Sequence, residues 1–324
     1  MSFERFHQYR TTPEIREKYA EVKLSADQFI VPLFVVEGQH IKQEIPGLQH
    51  VFHFSPDCLL NEIDRLKSRG INKVMLFGVL ANSRKDEEAS AAYQKGSLIA
   101  GVVEKIKQVH PDVLVYTDVC LCGYASHGHC GVFTDVNLDN EKTIQLLAKM
   151  ALVHAAAGAD FVCPSAMMDG QVYAIRQVLS QNGLAKTKIL GYSAKYQSSF
   201  YDPFRGAANS APRFGDRKTY QIDYRTTRQA LDEVGADINE GADWVMVKPA
   251  HAYLDVIGKA KERYPDVPLA AYHVSGEYML IKAAAAAGLV DESLAALEVN
   301  TAIKRAGADY IISYMTDVLY KFFK

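Results

Sequence analysis

Three of the five cysteines in this chain lie in one short segment, which makes them the first candidates for chemistry. Cys120 and Cys122 are separated by a single residue, and Cys130 follows after two histidines and two glycines. Thiolates are preferred ligands of Zn2+, and three protein ligands leave the fourth position of the metal open, as in catalytic sites. Free cysteine is also a common core residue, so three small buried side chains are the alternative. We predict a catalytic zinc site at Cys120, Cys122 and Cys130.

Other polar side chains of the same segment bear on how such a site would work. Alternate side chains of a strand share a face, so Asp118, Cys120 and Cys122 are expected to project to one side of the apolar strand that leads into them. His127 and His129 are alternative fourth ligands. Either histidine would close the metal site and make it structural.

Two lysines stand at the ends of predicted strands. Lys195 follows the run ILGYSA, and Lys248 closes the run that begins at Trp244. Alternation places Lys248 on the same side as Trp244 and Met246, where an ammonium group is poorly hydrated and the neutral amine is favoured. A neutral amine near pH 7 can attack a ketone and form a Schiff base. A single such lysine would be interpreted as a solvated charge, but two beside a thiolate cluster favour catalysis.

A long loop that contains glycine and arginine is predicted after Lys195 and extends to about residue 218. It includes Arg205 and Arg217. A loop of this length after a strand is more often an active-site lid than an idle connection. Two guanidinium groups can hold a substrate carboxylate through paired hydrogen bonds, and the alternative is two ordinary surface arginines.

A repeated order of helix, glycine turn and apolar strand would position these residues. The triplet Gly-Ala-Asp occurs at 158–160, 241–243 and 307–309, each time between a helical pattern and an apolar run. Glycine after a helix supplies the left-handed backbone that ends it. The apolar runs predict eight strands, at 29–36, 74–79, 113–119, 161–166, 189–194, 244–249, 269–274 and 310–315. Helical patterns lie at about 57–69, 87–109, 140–157, 169–182, 225–240, 251–264, 276–287, 291–306 and 316–323.

Eight apolar strands that alternate with amphipathic helices predict an α/β fold with a parallel sheet covered on both faces. In a chain of 324 residues they match a (β/α)8 TIM barrel, whose chemistry lies at the C-terminal ends of the strands. A doubly wound open sheet is the rival, but the chain has no G-x-G-x-x-G and no G-x-x-x-x-G-K-[ST] motif, so nucleotide binding has no support. The strand ends of a barrel add Ser275 and Tyr314 to the candidates.

Residues 1–28 precede the first predicted strand and form a polar N-terminal arm. Phe3, Phe6, Tyr9 and Tyr19 give this arm apolar surface, which favours an oligomer contact over a solvated tail. We therefore predict an arm at 1–28 and a catalytic barrel domain at 29–324.

Composition excludes several other classes of function. A formal net charge of -2 gives no reason to expect nucleic acid or an anionic membrane as a partner. No apolar run reaches the length of a membrane span, and the first residues lack the apolar core of a secretory signal. The clustered, odd number of cysteines does not suggest disulfides, so a reduced, cytoplasmic location is expected.

Several segments together resemble the porphobilinogen synthase (5-aminolaevulinate dehydratase) family. They are DVCLCGYASHGHCG at 118–131, YSAKYQSSFYDPFR at 192–205, FGDRKTYQ at 214–221, MVKPA at 246–250 and VSGEY at 274–278. The resemblance covers nearly the whole chain. It implies a barrel with an N-terminal arm, generally assembled as a homo-octamer. It also implies the condensation of two 5-aminolaevulinate molecules into porphobilinogen with loss of two waters, an early step of tetrapyrrole (haem) synthesis.

The resemblance implies roles for the candidate residues. Lys248 would hold the substrate that becomes the propionate side of the product, and Lys195 the one that becomes the acetate side, each as a Schiff base. Asp118 would transfer or orient a proton beside the metal. The other implied assignments are a catalytic Zn2+ on Cys120, Cys122 and Cys130, an acetate-side carboxylate on Arg205 and Arg217, and a propionate-side carboxylate on Ser275 and Tyr314.

Two further metal sites occur in some members of that family. An allosteric Mg2+ is bound through a glutamate that corresponds to Glu233. Thr219 stands where animal-type members carry a cysteine, which argues against a second zinc site.

Two other functions compete with this interpretation. A class I aldolase is a barrel with one Schiff-base lysine and no metal, so the cysteines and the second lysine count against it. A non-catalytic barrel in which zinc only staples a loop would use His127 or His129 as a fourth ligand and would lose stability without zinc.

Overall fold

The computed structural model describes residues 3–134 and 137–323. The strands are β1 (Phe29–Val36), β2 (Lys42–Ile45), β3 (Leu48–Phe54), β4 (Lys73–Val79), β5 (Leu114–Val119), β6 (Val132–Thr134), β7 (Asn137–Asp139), β8 (Phe161–Pro164), β9 (Lys188–Lys195), β10 (Trp244–Lys248), β11 (Leu269–His273) and β12 (Tyr310–Ser313). The helices are α1 (Pro13–Lys18), α2 (Pro56–Lys67), α3 (Leu98–Val109), α4 (Asn140–Ala156), α5 (Gln171–Gln181), α6 (Asp202–Ala207), α7 (Arg228–Glu240), α8 (Leu254–Arg263), α9 (Ser275–Ala286), α10 (Glu292–Arg305) and α11 (Thr316–Leu319).

The eight predicted strands form a closed parallel barrel, which confirms the predicted fold. The order is β1-β4-β5-β8-β9-β10-β11-β12, and β12 closes the ring by pairing with β1. At this seam Phe29 is opposite Ile311 and Ile30 is opposite Ile312. The alternative of an open sheet is wrong.

The structure also departs from the predicted elements and contains some that were not predicted, among them α1, α6 and the hairpin of β6 and β7. The antiparallel hairpin of β2 and β3, joined to the end of β1, was not predicted. The helix expected from residue 87 begins only at Leu98. Ala89 and Gly96 both have left-handed backbones, with φ of 56° and 77°, and such residues interrupt a right-handed helix.

A layer of aromatic rings fills the barrel near the N-terminal ends of its strands. Trp244 stacks on Tyr310 with ring centroids 4.1 Å apart and lies 4.6 Å from Phe161. Phe161 in turn stacks on Tyr116 at 4.2 Å. Aromatic pairs of this kind add about 0.5–1.5 kcal/mol each to the burial of their area. The interior is therefore packed at this end, and the opposite end is left for polar side chains.

The three Gly-Ala-Asp triplets end helices as predicted, and their aspartates make a second contact that joins neighbouring strands. Gly241 follows α7 with φ of 104°. The carboxylates of Asp160, Asp243 and Asp309 accept the backbone N–H groups of Val115, Ile189 and Leu269, at 2.7, 2.8 and 2.8 Å. Each aspartate also pairs with a cation of a preceding helix, respectively Lys107, Arg176 and Lys261.

The residues before β1 lie outside the barrel. Thr12 caps α1 through its side chain, and Phe3, Phe6, Tyr9 and Tyr19 are all exposed. An oligomer contact through this arm stays a prediction. In the part of the chain that the structure describes, no helix has both the length and the apolar character needed to cross a membrane.

Candidate active site

Lys195 and Lys248 are the last residues of two neighbouring barrel strands and lie directly opposite each other in the register of β9 and β10. Their positions depend on one extra residue in β9. Gly191 is opposite Val245 and Ala194 is opposite Val247, so two residues of β9 face a single residue of β10. Such a bulge reverses the alternation of side chains. As a result, Lys195 points into the barrel beside Lys248.

Aromatic rings surround the ammonium group of Lys248, which is only 6% exposed. Its Nζ lies 4.2 Å from the ring centroid of Tyr272, 5.0 Å from Tyr192, 5.3 Å from Tyr201 and 5.2 Å from Phe204. Loss of hydration lowers the pKa of Lys248 to about 7, and the positive charge of Lys195 lowers it further in the same direction. Near neutral pH a large fraction of this amine is therefore unprotonated and nucleophilic.

Lys195 is buried beside Asp118 and Ser165. Its Nζ donates a hydrogen bond to the backbone carbonyl of Ser165 and lies 5.7 Å from the ring centroid of Tyr192. Burial raises the pKa of Asp118, while the Ser165 side chain, Lys195 and Lys248 act in the opposite direction. One carboxyl group thus stands near two amines, which is an arrangement suited to proton transfer.

The three cysteines converge as predicted, although by a different route. β5 ends at Val119, so Cys120 and Cys122 lie in a turn, and the prediction that strand alternation aligns them with Asp118 is wrong. The three sulfur atoms are buried and lie within 4.8 Å of one another. Tetrahedral coordination with Zn–S distances of about 2.3 Å places sulfurs about 3.8 Å apart. The cluster therefore fits a zinc ion.

One of the three thiols is favoured in the charged form that binds a cation, whereas hydrogen bonding within the cluster raises the pKa of Cys120. Hydrogen bonds from Cys120 and Cys122 lower the pKa of Cys130 well below that of an ordinary thiol, and Arg217 adds to this effect. A thiolate is the form of cysteine that binds a metal.

Neither candidate histidine joins the cysteines. His129 directs Nδ1 to the hydroxyl of Tyr220 at 3.1 Å and Nε2 to the carbonyl of Phe214 at 2.8 Å. The Nδ1 atom of His127 accepts the backbone N–H of His129 at 3.1 Å. Within residues 3–134 and 137–323, the only close group of three or more metal-binding side chains is the cysteine triplet. The described residues therefore leave a fourth position open, and they do not include the closed four-ligand site of a structural staple.

Arg205 and Arg217 line one cavity of about 910 Å3. Arg217 is 6% exposed and donates to the carbonyls of Gly128 and Ser210 at 2.9 and 2.6 Å. Arg205, on α6, pairs with Asp202 at 2.7 Å. The Nε atoms of both arginines are buried and have no hydrogen-bond partner among the described residues. These two donors are available to a carboxylate.

Ser275 and Tyr314 lie on the side of the site that holds Lys248. The hydroxyl of Ser275 accepts the backbone N–H of Phe204 at 3.0 Å and donates to the carbonyl of Phe200 at 3.4 Å. It therefore joins the start of α9 to the segment around α6. The hydroxyl of Tyr314 lies 3.1 Å from that of Tyr272, whose ring is the nearest to Lys248.

Glu233 lies away from the lysines, on α7. It lines a cavity of about 230 Å3 together with Asp169, Asp237 and Glu240. Burial raises the pKa of Glu233 to about 7, and the charge of Asp169 adds to the rise. Carboxylate oxygens suit Mg2+, which keeps several waters and needs few protein ligands. A magnesium site here stays a prediction, as does the absence of a second zinc site at the exposed Thr219.

Comparison with known proteins places this chain in a family. The family model for delta-aminolevulinic acid dehydratase matches residues 3–322. The chain belongs to the delta-aminolevulinic acid dehydratase family. A family member from Methanothermobacter thermautotrophicus is 48% identical over 313 residues, which cover 96% of this chain and 94% of that protein. One from Halalkalibacterium halodurans is 44% identical over 314 residues, or 97% of this chain and 95% of that protein.

A solved structure of the same family has the same fold. It is delta-aminolevulinic acid dehydratase (porphobilinogen synthase) from Toxoplasma gondii ME49 in complex with the reaction product porphobilinogen, and it is 40% identical to this chain. The superposition has a TM-score of 0.96 and covers 99% of this chain and 91% of that chain. The predicted family and the predicted enzyme class, a hydro-lyase, are confirmed. Nothing favours the alternative of a class I aldolase.

Several side chains of this dehydratase site were not predicted to have a role. Tyr192, whose ring lies near both amines, and Ser165, which binds Lys195, are clear examples. Alternation along β10 pointed to Trp244 and Met246 as neighbours of Lys248, whereas the rings nearest its amine come from β9, α6 and β11. A signal for Tyr272 was its central place in the run LAAYHV, but only the closed barrel brings it to the amine.

Proposed function

We propose that this protein is a porphobilinogen synthase that condenses two 5-aminolaevulinate molecules, with loss of two waters, in tetrapyrrole synthesis. The observation that carries the proposal is the pair of buried amines, Lys195 and Lys248, opposite each other in the register of adjacent strands. A reaction that joins two keto-amino acids has use for two amines, and a single-lysine aldolase does not.

The two amines have different tasks in this proposal. The neutral amine of Lys248 attacks the ketone carbon of one substrate, the carbinolamine loses water, and a C=N bond to the lysine results. Lys195 binds the second substrate in the same way. Asp118 raises the pKa of Lys248, and the two lysines lower the pKa of Asp118, so we assign to Asp118 the proton transfers that these dehydrations require.

The carboxylate group of each substrate is held by a different pair of side chains. The free Nε donors of Arg205 and Arg217 suit the acetate-side substrate, and the hydroxyls of Ser275 and Tyr314 suit the propionate-side substrate. Because Phe204 covers Lys248 at 5.2 Å and lies on α6, we propose that the segment around α6 moves aside to admit substrate and then excludes water.

Cys120, Cys122 and Cys130 would hold a catalytic Zn2+. Such an ion acts as a Lewis acid that polarises a carbonyl group or activates water. A homo-octamer formed through residues 1–28, a cytoplasmic location and an allosteric Mg2+ at Glu233 belong to the same proposal. The exposed aromatic rings of the arm and the acidic cavity at Glu233 support the first and the last of these.

Reductive trapping tests the proposal directly. Borohydride added together with 5-aminolaevulinate should convert each Schiff base to a stable secondary amine, and peptide mapping should find the label on Lys195 and Lys248. Lys282 is a matched control, since it is also a buried lysine but is paired with Glu292 at 2.8 Å. Label on neither Lys195 nor Lys248, or equal label on Lys282, would refute the proposed role of the amines.

A further inference from the structure

A separate cavity of about 320 Å3 lies at the rim of the barrel, between the residues that follow β1 and β4 and the start of α3. It shares no lining residue with the cavity of the two arginines. Three cationic side chains line it, from Arg84, Lys95 and Lys105, against the single carboxylate of Glu37. Glu37 is already paired with Arg84 at 3.3 Å. Lys95 and Lys105 have no ion-pair partner among the described residues, so the cavity carries an excess of positive charge.

The first turn of α3 borders this cavity with unused hydrogen-bond donors. Ser97 is the N-cap residue of this helix of twelve residues, yet its side chain makes no capping hydrogen bond, and the first turn contains no acidic residue. The first N–H groups of a helix have no acceptor within the helix, and the helix dipole makes this end positive. An anion is therefore favoured here on both counts.

The hydroxyl group of Ser97 gives independent evidence for a ligand. Ser97 lines the cavity, is only 7% exposed, and its Oγ has no hydrogen-bond partner in residues 3–134 and 137–323. Buried hydroxyl groups without a partner are rare in native proteins and call for an explanation. An acceptor atom bound in the cavity would supply the missing partner.

We propose that this cavity binds a phosphate-class oxyanion, such as inorganic phosphate or the phosphate group of a monoester. Its tetrahedral oxygens can accept from the Ser97 hydroxyl, from the first N–H groups of α3 and from the two unpaired lysines at once. A planar carboxylate has fewer acceptor directions and would leave some of these donors unused.

The site is also connected to the segment that covers Lys248. The loop after β4 lines the cavity through Leu80 and Arg84. From its other side, Leu80 and Asn82 accept hydrogen bonds from the side-chain amide of Asn209 at 3.2 and 2.9 Å. Asn209 follows α6, so an anion that steadies this loop would also steady the end of the covering segment.

Amide hydrogen exchange with added inorganic phosphate tests the proposal on the whole protein, with sodium chloride at equal ionic strength as the salt control. We expect phosphate to slow exchange in residues 96–101 with a saturable dependence on concentration. Lys105→Ala should weaken this effect about tenfold, as expected for one charge-assisted contact. Lys186→Ala, which removes an equally exposed lysine elsewhere, should leave it unchanged.

Two further variants separate a ligand site from a merely structural role. A Cβ at Gly101 meets no atom within 4 Å, so Gly101→Glu should place a carboxylate in the cavity and abolish the effect of phosphate without loss of fold. Ser97→Ala should weaken the binding of phosphate about tenfold. It should leave the melting temperature measured without phosphate unchanged or higher, because the hydroxyl has no partner to lose. Three results would each overturn the proposal. They are slower amide exchange only in residues 197–225, slower exchange that chloride reproduces, and an undiminished effect of phosphate in Gly101→Glu.

Discussion

The reactivity of Lys248 depends on its neighbours rather than on the lysine itself. Four aromatic rings remove water from the amine, and Lys195 adds a like charge. Both lysines could be predicted from the sequence, because each stands at the end of an apolar run. The sequence did not identify Tyr201 and Phe204 as neighbours, because they lie in the segment around α6, whose position depends on contacts between distant parts of the chain.

Removal of the neighbouring charge should change the pH dependence of Lys248. The pKa of about 7 is lowered from the usual value partly by Lys195, so Lys195→Ala should raise it. Trapping of substrate on Lys248 requires the neutral amine and should therefore move to higher pH, by about one unit for a close like charge.

The measurement is the rate of borohydride trapping on Lys248 between pH 5 and pH 9. Lys195→Arg is the matched control, since it keeps the positive charge and should keep the midpoint. An identical midpoint in wild type and Lys195→Ala would mean that burial alone accounts for the lowered pKa.

Substitution of one thiol should separate catalysis from substrate capture. Cys122→Ala removes one of three close sulfurs but none of the four aromatic rings around Lys248. We expect turnover of 5-aminolaevulinate to fall at least tenfold, since loss even of outer partners of a metal ligand costs about 10–100-fold. Trapping on Lys248 and the melting temperature should change little.

Cys163→Ala is the control for that substitution, because Cys163 is buried and lies outside the triplet. Equal losses of turnover and trapping in Cys122→Ala would argue against a catalytic ion. A large loss of stability would instead support a structural staple.

At the scale of elements, α9 holds the segment around α6 at very short range. Gly276 lies in the first turn of α9, and a Cβ there would come within 2.5 Å of the carbonyl oxygen of Phe200 and 2.6 Å of its Cα. Only glycine permits this approach. Together with the hydrogen bonds of Ser275, it fixes the residues that cover Lys248.

Gly276→Ala should therefore push this covering segment away from α9. Overpacking of this kind costs about 1–3 kcal/mol, and we expect reduced turnover and faster proteolysis within residues 199–217. Gly206→Ala provides the control, since its added Cβ meets no atom within 4 Å. Equal proteolysis of both variants would show that the contact with α9 does not hold the segment.

The Gly-Ala-Asp triplets illustrate how far the elements could be predicted. Their glycines were correctly predicted to end helices, because a left-handed backbone is a local property. The contact of Asp243 with the N–H of Ile189 joins residues far apart in the chain. Local patterns carry no information about such a pair, so this link between strands was not predicted. The hairpin of β2 and β3 was missed because β2 has one apolar residue among four, and Gln49, His50 and His53 interrupt the apolar residues of β3.

At the scale of the whole molecule, one buried carboxyl group links the stability of the barrel to pH. Glu277 accepts the backbone N–H groups of Val274 and Ala252 at 3.0 and 3.1 Å, which joins the loops after β11 and β10. Burial raises its pKa from 4.5 to about 7. The folded state therefore favours the protonated form, and this contribution to stability is lost as pH rises from about 4.5 to 7.

Glu277→Gln should remove this pH dependence. The variant loses one side-chain oxygen that accepts backbone N–H groups, but it has no buried acid to ionise. The melting temperature of the variant should therefore rise relative to that of wild type between pH 5 and pH 8. The corresponding change in the free energy of unfolding has an upper limit of about 3 kcal/mol. Glu298→Gln, at an exposed position, should give no such trend, and a constant difference between Glu277→Gln and wild type would contradict the assigned pKa.

The barrel as a whole was the most predictable property of the chain. Eight apolar runs with helical patterns between them restrict the topology strongly, whereas the closure of β12 on β1 is visible only in three dimensions. The site followed from the barrel, because the C-terminal strand ends meet at one rim.

The extra residue in β9 has a consequence for how this enzyme can change through evolution. Loss of one residue at Ser193 or Ala194 would keep every functional side chain in the sequence and would still turn the amine of Lys195 outward, towards the helices. A relative with such a deletion would look intact in a residue-by-residue comparison and would lack one of its two amines. In the proposed mechanism, inheritance of the reaction therefore depends on the number of residues between Gly191 and Lys195 as much as on their identities.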